Sequence, residues 1–480
     1  MSHQSAILPY AWGLILLLLL GITWIGLGIF WGRKAKSLEG FMLAGRNVGM
    51  GLGVATVMAT WITSNTTMLA PQFALELGIL GMLAYSTASC GLFLFAPLAK
   101  RIRQLMPHGF TSGDFIRLRY GKGSWLIFLV ISLFYALTWL VSMGMAGGIL
   151  LQALAGIPYV WGMSALLTVC VLYTVFGGLY AVLGTDFIQS LIILIGIVVV
   201  GCGIVLSSGI EDMYTHVATE TPMLLNVLFP AALLALFNNL FFGVGEVFHS
   251  NVWWSRAFAL QEGLGQKTYT IAGLLWIPVP IASGFLALSS GVLDINIPRP
   301  DMVGPLVSAH ILGPIGSVVV FIVLFCSLAS SLDSLLAATS DLITNDIIKT
   351  WWAPEASGQQ LRRMATWVIV SLGVITWLVC LPQIGTLATV LFFAGPMVAS
   401  TIWPIATGLY WPHANSHGAM WSMILGSGGG LLAYWSWGWY TGALIGTALS
   451  MGVVWVASRN NQTVFRWERL NETPTEGVGS

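Results

Sequence analysis

Thirteen long apolar runs occupy most of this 480-residue chain, and they leave it few ways to fold. A helix needs about 20 apolar residues to cross the hydrocarbon core of a bilayer, and backbone groups inside lipid must be paired within the segment itself. The runs therefore read as membrane helices, at roughly 8–31, 50–77, 79–99, 124–154, 158–176, 185–207, 224–247, 268–291, 312–343, 364–381, 385–410, 416–436 and 439–457. The expected fold class is all-α, a polytopic membrane protein with about 13 transmembrane helices. Only 8% of the residues are charged, against roughly a quarter in soluble proteins, which excludes a water-soluble reading. A net charge of +1 gives no basis for neutralising a run of phosphates, so nucleic acid is excluded as a partner. The five cysteines are scattered through apolar runs and read as small core residues rather than a disulfide framework. The first run is too long for a signal-peptide core and has no basic segment before it, so it is kept as a span.

Cytoplasmic loops of membrane proteins hold most of the lysine and arginine. With the N-terminus outside, eighteen of the nineteen basic residues fall in inner loops and the tail, and only Arg299 falls outside. The expectation is an integral plasma (inner) membrane protein with a cytoplasmic C-terminus, ending in a short tail, 459–480, without a domain of its own.

A helix that only anchors has no use for polar groups at mid-membrane, because each unpaired one costs free energy. The second span nonetheless reads TWITSNTT from Thr60, followed by Pro71, and is expected to be broken. The seventh repeats the behaviour with Pro230, Asn238 and Asn239, and the run GVGE from Gly243 to Glu246. Two interrupted spans five helices apart point to an inverted-repeat transporter. On that reading the chain divides into 1–45 (an extra helix and inner loop), 46–208 and 209–411 (two five-helix repeats), 412–458 (two extra helices) and the tail. The ninth span carries SLASSLDS, in which Ser327, Ser330 and Ser331 share one helical face at i, i+3 and i+4. Three hydroxyls there supply part of a shell for a hard cation, or else a small-residue helix contact. Asp333 points elsewhere. Asp186, just inside the sixth span, is either a functional carboxylate or a helix cap.

Several ordered motifs between about residues 38 and 350 carry a family resemblance: EGFMLAGR, GDFIRLRYG from Gly113, GGLYAV and TDFIQ around Asp186, WWSRAFA from Trp253, and SLASSLDS with TNDIIK through Lys349. The chain is similar in these to the sodium:solute symporter family, and within it looks most like the urea active transporter branch. The resemblance implies a five-plus-five inverted-repeat core with broken helices 2 and 7, and solute uptake coupled to inward sodium flow. It implies that Ala59 and Ile62 give backbone carbonyls to a sodium site, and that Ser327, Ser330 and Ser331 complete it. Asp186 matches an aspartate that joins a second sodium site or lies on the ion's exit path. Ser250 and Asn251 replace the branch's usual acidic and amide pair, and Glu246 stands where a small hydroxyl residue is usual.

No lysine or arginine falls within an expected membrane core, so the solute is expected to be neutral or cationic, with a urea-like solute one possibility. Candidate contacts are Thr66 and Gln72 on the second span, Tyr85 and Ser86 on the third, and Asn238, Asn239, Phe242 and Glu246 on the seventh. Trp61, Trp253, Trp254 and Trp276 read either as an aromatic wall or as members of the interfacial belt. The expected function is a sodium-coupled secondary active symporter that imports a small polar organic solute by alternating access. Its expected partners are the sodium ion, the solute and the lipid bilayer, and no oligomer is predicted. A non-transporting membrane sensor, or proton-coupled uptake of a small organic acid or amino acid, is the alternative. An enzyme is not expected: His413 and His417 have helical ligand spacing but no acidic partner nearby.

Overall fold

The computed structural model describes residues 8–471; the end of the expected tail, from 472 onward, lies outside the described residues. The described residues are helical throughout, with a single isolated parallel bridge between Val48 and Leu260. Nine helical stretches among them are long and apolar enough to cross a membrane.

Three of these stretches, Ser64–Leu105, Tyr159–Ser208 and Pro300–Trp352, are too long for one crossing. Tyr159–Ser208 has 50 residues, or about 75 Å of helix at 1.5 Å per residue, against a hydrocarbon core of about 30 Å. Its helical dihedrals fail at Gly178 (φ 52°), and those of Ser64–Ser86 and Val303–Leu342 fail at Gly78 (φ 70°) and Gly313 (φ 67°). The chain turns at these points because glycine alone enters the left-handed region without a Cβ penalty. A Cβ on Gly178 would also stand 2.5 Å from the Phe41 carbonyl oxygen. Gly178→Ala is accordingly expected to cost about 1–3 kcal/mol through forced backbone conformation and overpacking, read as a lower unfolding temperature of the purified protein.

The second span is interrupted where the sequence suggests. Helix Met50–Trp61 ends at Ile62 (φ −83°, ψ 81°), Thr63 is extended (φ −86°, ψ 170°), and a new helix starts at Ser64. Pro71 does not contribute to this break, since the helix runs through it. The seventh span differs more. Pro230–His249 is one continuous helix, with Pro230 in its first turn where a missing N–H is harmless. The interruption comes later, at Ser250 (φ −68°, ψ 128°), after which Asn251–Ala259 resumes. The GVG sequence serves packing instead: a Cβ on Gly243 would lie 2.6 Å from Ala88 Cα, and one on Gly245 would lie 2.6 Å from the Val398 carbonyl. The two interrupted helices are joined at one end, where Val48 exchanges backbone hydrogen bonds of 3.0 Å with Ala259 and Gln261.

Candidate ion and solute site

The hydroxyls that crowd TWITSNTT splice the broken backbone. Thr63 and Thr66 form a reciprocal capping box: the Thr63 hydroxyl accepts from the Thr66 N–H at 3.1 Å, and the Thr66 hydroxyl accepts from the Thr63 N–H at 3.2 Å. The Thr66 hydroxyl also donates to the Trp61 carbonyl at 3.0 Å. Backbone groups orphaned by the break are thus satisfied inside a buried core, as low-dielectric surroundings require.

The last carbonyls of Met50–Trp61 meet the serine face of Val303–Leu342. Ser330 donates its hydroxyl to the Ala59 carbonyl at 2.8 Å, and Ser331 donates to the Thr60 carbonyl at 3.0 Å, across 271 residues of sequence in each case. Ala59, Ile62, Ser327, Ser330 and Ser331 are all fully buried. Ser327 differs from the expectation of three converging hydroxyls. Its hydroxyl bonds back to the Leu324 carbonyl at 2.9 Å, while its own carbonyl accepts from Ser331 at 3.1 Å. Thr60, which the sequence reading left out, supplies the second carbonyl.

A charged network adjoins this contact, and it corrects the expectation of a cation-free core. Arg256, read from sequence as an inner-loop residue, lies on Asn251–Ala259 and is 1% exposed. Its Nη2 donates to Ser334 at 2.7 Å and Thr60 at 2.8 Å, its Nε donates to Thr56 at 3.1 Å, and its Nη1 donates to the Val252 carbonyl at 3.0 Å. Asp186 pairs with the same guanidinium at 3.4 Å and accepts the Thr56 hydroxyl. It is therefore a partner in a buried ion pair inside the helix Tyr159–Ser208 and not a helix cap. Asp333 is buried beside this group, and the Thr185 hydroxyl reaches it at 3.4 Å.

On the other side of the break lies a small cavity of about 20 Å³. Thr66, Tyr85, Asn239, Phe242 and Glu246 line it, together with Trp61 and Trp276 of the suggested aromatic wall. Thr63, Asn65, Trp139, Leu391 and Phe392 line it too, and no local pattern marks the last three, which distant helices carry there. Three suggested contacts stand elsewhere. Gln72 donates to Glu76 at 2.8 Å, and Ser86 donates back to the Met82 carbonyl at 3.1 Å. Asn238 is a strut between helices, donating to the Trp439 carbonyl at 3.2 Å and accepting the Ala443 N–H at 2.8 Å. Trp253 packs edge-on against Trp61 with centroids 5.0 Å apart, and Trp254 packs on Phe95 and Phe115.

The GDFIRLRYG and TNDIIK motifs meet elsewhere in the fold, on the short helix Ser112–Tyr120 and the π-helical stretch Ile343–Trp352. Asp346 accepts from the Thr111 hydroxyl at 2.6 Å and the Trp125 indole at 2.8 Å, and Asn345 donates to Asp114 at 3.1 Å. Asn251, beside the second break, accepts the Ser112 N–H at 3.0 Å and donates to the Ala338 carbonyl at 2.9 Å. This polar cluster ties the second interrupted helix to both the short helix and the serine helix.

The helical fold that holds the interrupted second span against the serine face, with a small cavity beside it, is one that solved membrane transporter structures share. The substrate-bound outward-open state of a Na⁺-coupled sialic acid symporter superposes with a TM-score of 0.79 at 15% identity, covering 95% of this chain and 98% of that one. A nucleobase-cation-symport-1 family transporter in a closed conformation, with bromovinylhydantoin bound, gives 0.55 at 15% identity, over 89% and 96% of the two chains. The chain belongs to the sodium:solute symporter family, whose model matches residues 41–426. Among relatives, the urea-proton symporter of Oryza sativa subsp. japonica is 28% identical over 438 residues, covering 81% of this chain and 59% of that protein. The urea active transporter of Saccharomyces cerevisiae is 26% identical over 475 residues, covering 90% and 63%. The sodium/pantothenate symporter of Escherichia coli is 26% identical over 424 residues, covering 84% and 86%. The chain spans about six tenths of the length of the first two, and the family and these relatives are transporters, not enzymes.

Proposed function

We propose that this protein is a cation-coupled symporter that imports a small polar organic solute by alternating access, with sodium as the coupling ion. The observation that carries the reading is the pair of contacts from Ser330 and Ser331 to the Ala59 and Thr60 carbonyls at the break. Hydroxyl and carbonyl oxygens suit a hard monovalent cation, and here they come from two helices and meet at the end of an interrupted one. In this proposal the Ala59, Thr60 and Ile62 carbonyls, the Ser330 and Ser331 hydroxyls and the Ser327 carbonyl surround the ion, and Asp186 lies on its way to the inner side. Thr66, Tyr85, Asn239, Phe242 and Glu246 contact the solute in the adjoining cavity. The small volume of that cavity is in keeping with a solute of few heavy atoms.

Energetically, one charge moving down the membrane potential releases about 2.3 kcal/mol per 100 mV, enough to concentrate a neutral solute many-fold. Coupling requires that the ion favour the conformation that binds solute, since a ligand shifts an equilibrium only by its differential affinity. The break gives this coupling a short path, because Trp61 and Thr63 face the cavity while Ala59 and Thr60, one turn back, face the serines. The two repeats, 46–208 and 209–411, would move against each other about this point, with the N-terminus outside and the C-terminus cytoplasmic in the inner membrane.

Proton coupling is the second reading, favoured by the name of the Oryza relative and by the buried carboxyl of Glu246 at the cavity. Proteoliposomes separate the two readings: an imposed sodium gradient drives accumulation of labelled urea or a small amine under the first, and only a proton gradient does so under the second. A sensor would accumulate nothing under either gradient.

A further inference from the structure

We propose that the central cavity takes a small organic cation, an ammonium or guanidinium of few heavy atoms, with the Glu246 carboxylate as its fixed counter-charge. This rests on the reading of the chain as a transporter of a small polar solute and names the class of that solute. Glu246 is 5% exposed, lines the cavity, and its Oε1 has no hydrogen-bond partner among the described residues. A carboxylate enclosed by apolar walls is costly unless a positive charge or several strong donors face it.

Among the described residues, none of those lining the cavity carries such a charge. Arg256 is engaged by Asp186, Thr56, Thr60 and Ser334, and is not among the residues that line the cavity. His249, one turn beyond Glu246 on the same helix, turns its Nδ1 to the Gly245 carbonyl at 2.8 Å and packs edge-on against Tyr135. The cavity thus has a negative side and no positive one.

Its remaining walls also suit a cation. Trp61, Tyr85, Trp139, Trp276, Phe242 and Phe392 enclose it, and aromatic faces attract positive charge. Asn239 directs its NH₂ to the Ala84 and Tyr85 carbonyls, both at 2.9 Å, so its remaining oxygen is an acceptor. The nearby donors without partners, the Tyr135 hydroxyl beside Glu246 and Asn65 Nδ2 and Trp61 Nε1 at the cavity, are neutral dipoles that cannot balance a full charge. A neutral amide such as urea would leave the carboxylate uncompensated, whereas a guanidinium of the same shape would pair with it in two parallel hydrogen bonds.

Methylguanidinium and methylurea are nearly equal in shape and differ in charge, and each is titrated into the purified full-length protein in saturating sodium. The wild type is expected to bind methylguanidinium at least about tenfold more tightly than methylurea. Glu246→Gln is expected to bring the two within about twofold, and Glu246→Asp to keep the preference for the cation. A wild type that binds neither probe or prefers methylurea, or a Glu246→Gln variant that keeps the original preference, overturns the proposal. If Glu246→Gln is not recovered folded, the wild-type pair and Glu246→Asp decide the question. Sodium-driven accumulation is measured separately. Methylguanidinium that binds but is never accumulated sinks the transport reading and spares the site, whereas accumulation of methylurea alone does the reverse.

Discussion

Replacing Ser331 with alanine is expected to raise the sodium concentration for half-maximal solute uptake by about tenfold or more, with the protein remaining folded. The change deletes one hydroxyl and adds no volume to a fully buried contact. For the fold the loss is a single neutral hydrogen bond to the Thr60 carbonyl, at 3.0 Å, with a net value of about 0.5–1.5 kcal/mol. For the ion it removes one of a handful of oxygen ligands, and a tenfold weakening corresponds to about 1.4 kcal/mol. Ser331→Thr, which keeps the oxygen, should stay close to wild type. Uptake titrated with sodium checks both variants, with size-exclusion chromatography to establish that each is folded. An unchanged sodium dependence in Ser331→Ala means that the serine face is only a helix contact.

Replacing Arg256 with methionine is expected to produce the largest loss of stability, about 3–5 kcal/mol, because it strands a buried carboxylate. Asp186 is fully buried and has no other cation within salt-bridge distance among the described residues. Arg256→Lys should rescue little, since an ammonium cannot replace a planar fork that reaches Thr56, Thr60, Ser334 and Asp186 at once. The double variant Arg256→Met with Asp186→Asn removes both charges and is expected to recover most of the loss. Thermal unfolding of the purified variants gives the comparison. If the single and double variants are equally unstable, the arginine acts through packing rather than through its charge.

The sequence reading located the break in the second span well, for a physical reason. A dense run of hydroxyls inside an apolar stretch has few uses other than serving exposed backbone, and Thr63 and Thr66 do serve it. The serine face was legible because Ser330 and Ser331 stand three and four residues after Ser327, the spacing that lines up side chains on one side of a helix. The second interruption was displaced, from the GVGE region to Ser250, because small residues in a membrane helix signal close packing as often as unwinding. Asn238, Gln72 and Ser86 were grouped with the cavity because they lie near it in sequence, yet a one-residue shift turns a helical side chain by 100°. Asn239 thus lines the cavity while Asn238 braces Trp439 and Ala443. The burial of Arg256 is the feature least legible in the sequence. Counting basic residues assigns sides to loops, but the acid that lets an arginine fold back into the core is 70 residues away in sequence. Trp139 and Phe392 were out of reach for a similar reason, since nothing local marks a side chain that a distant helix carries to the cavity.

The account depends on an alkali cation binding where the interrupted helix meets the serine face. Equilibrium binding of radioactive sodium to the purified protein tests it most directly, in the wild type and in the Ser330→Ala, Ser331→Ala double variant. The account predicts saturable binding in the wild type and its loss in the double variant. Saturable binding that survives the double substitution, or no sodium binding in a protein that accumulates solute under a proton gradient, would contradict it.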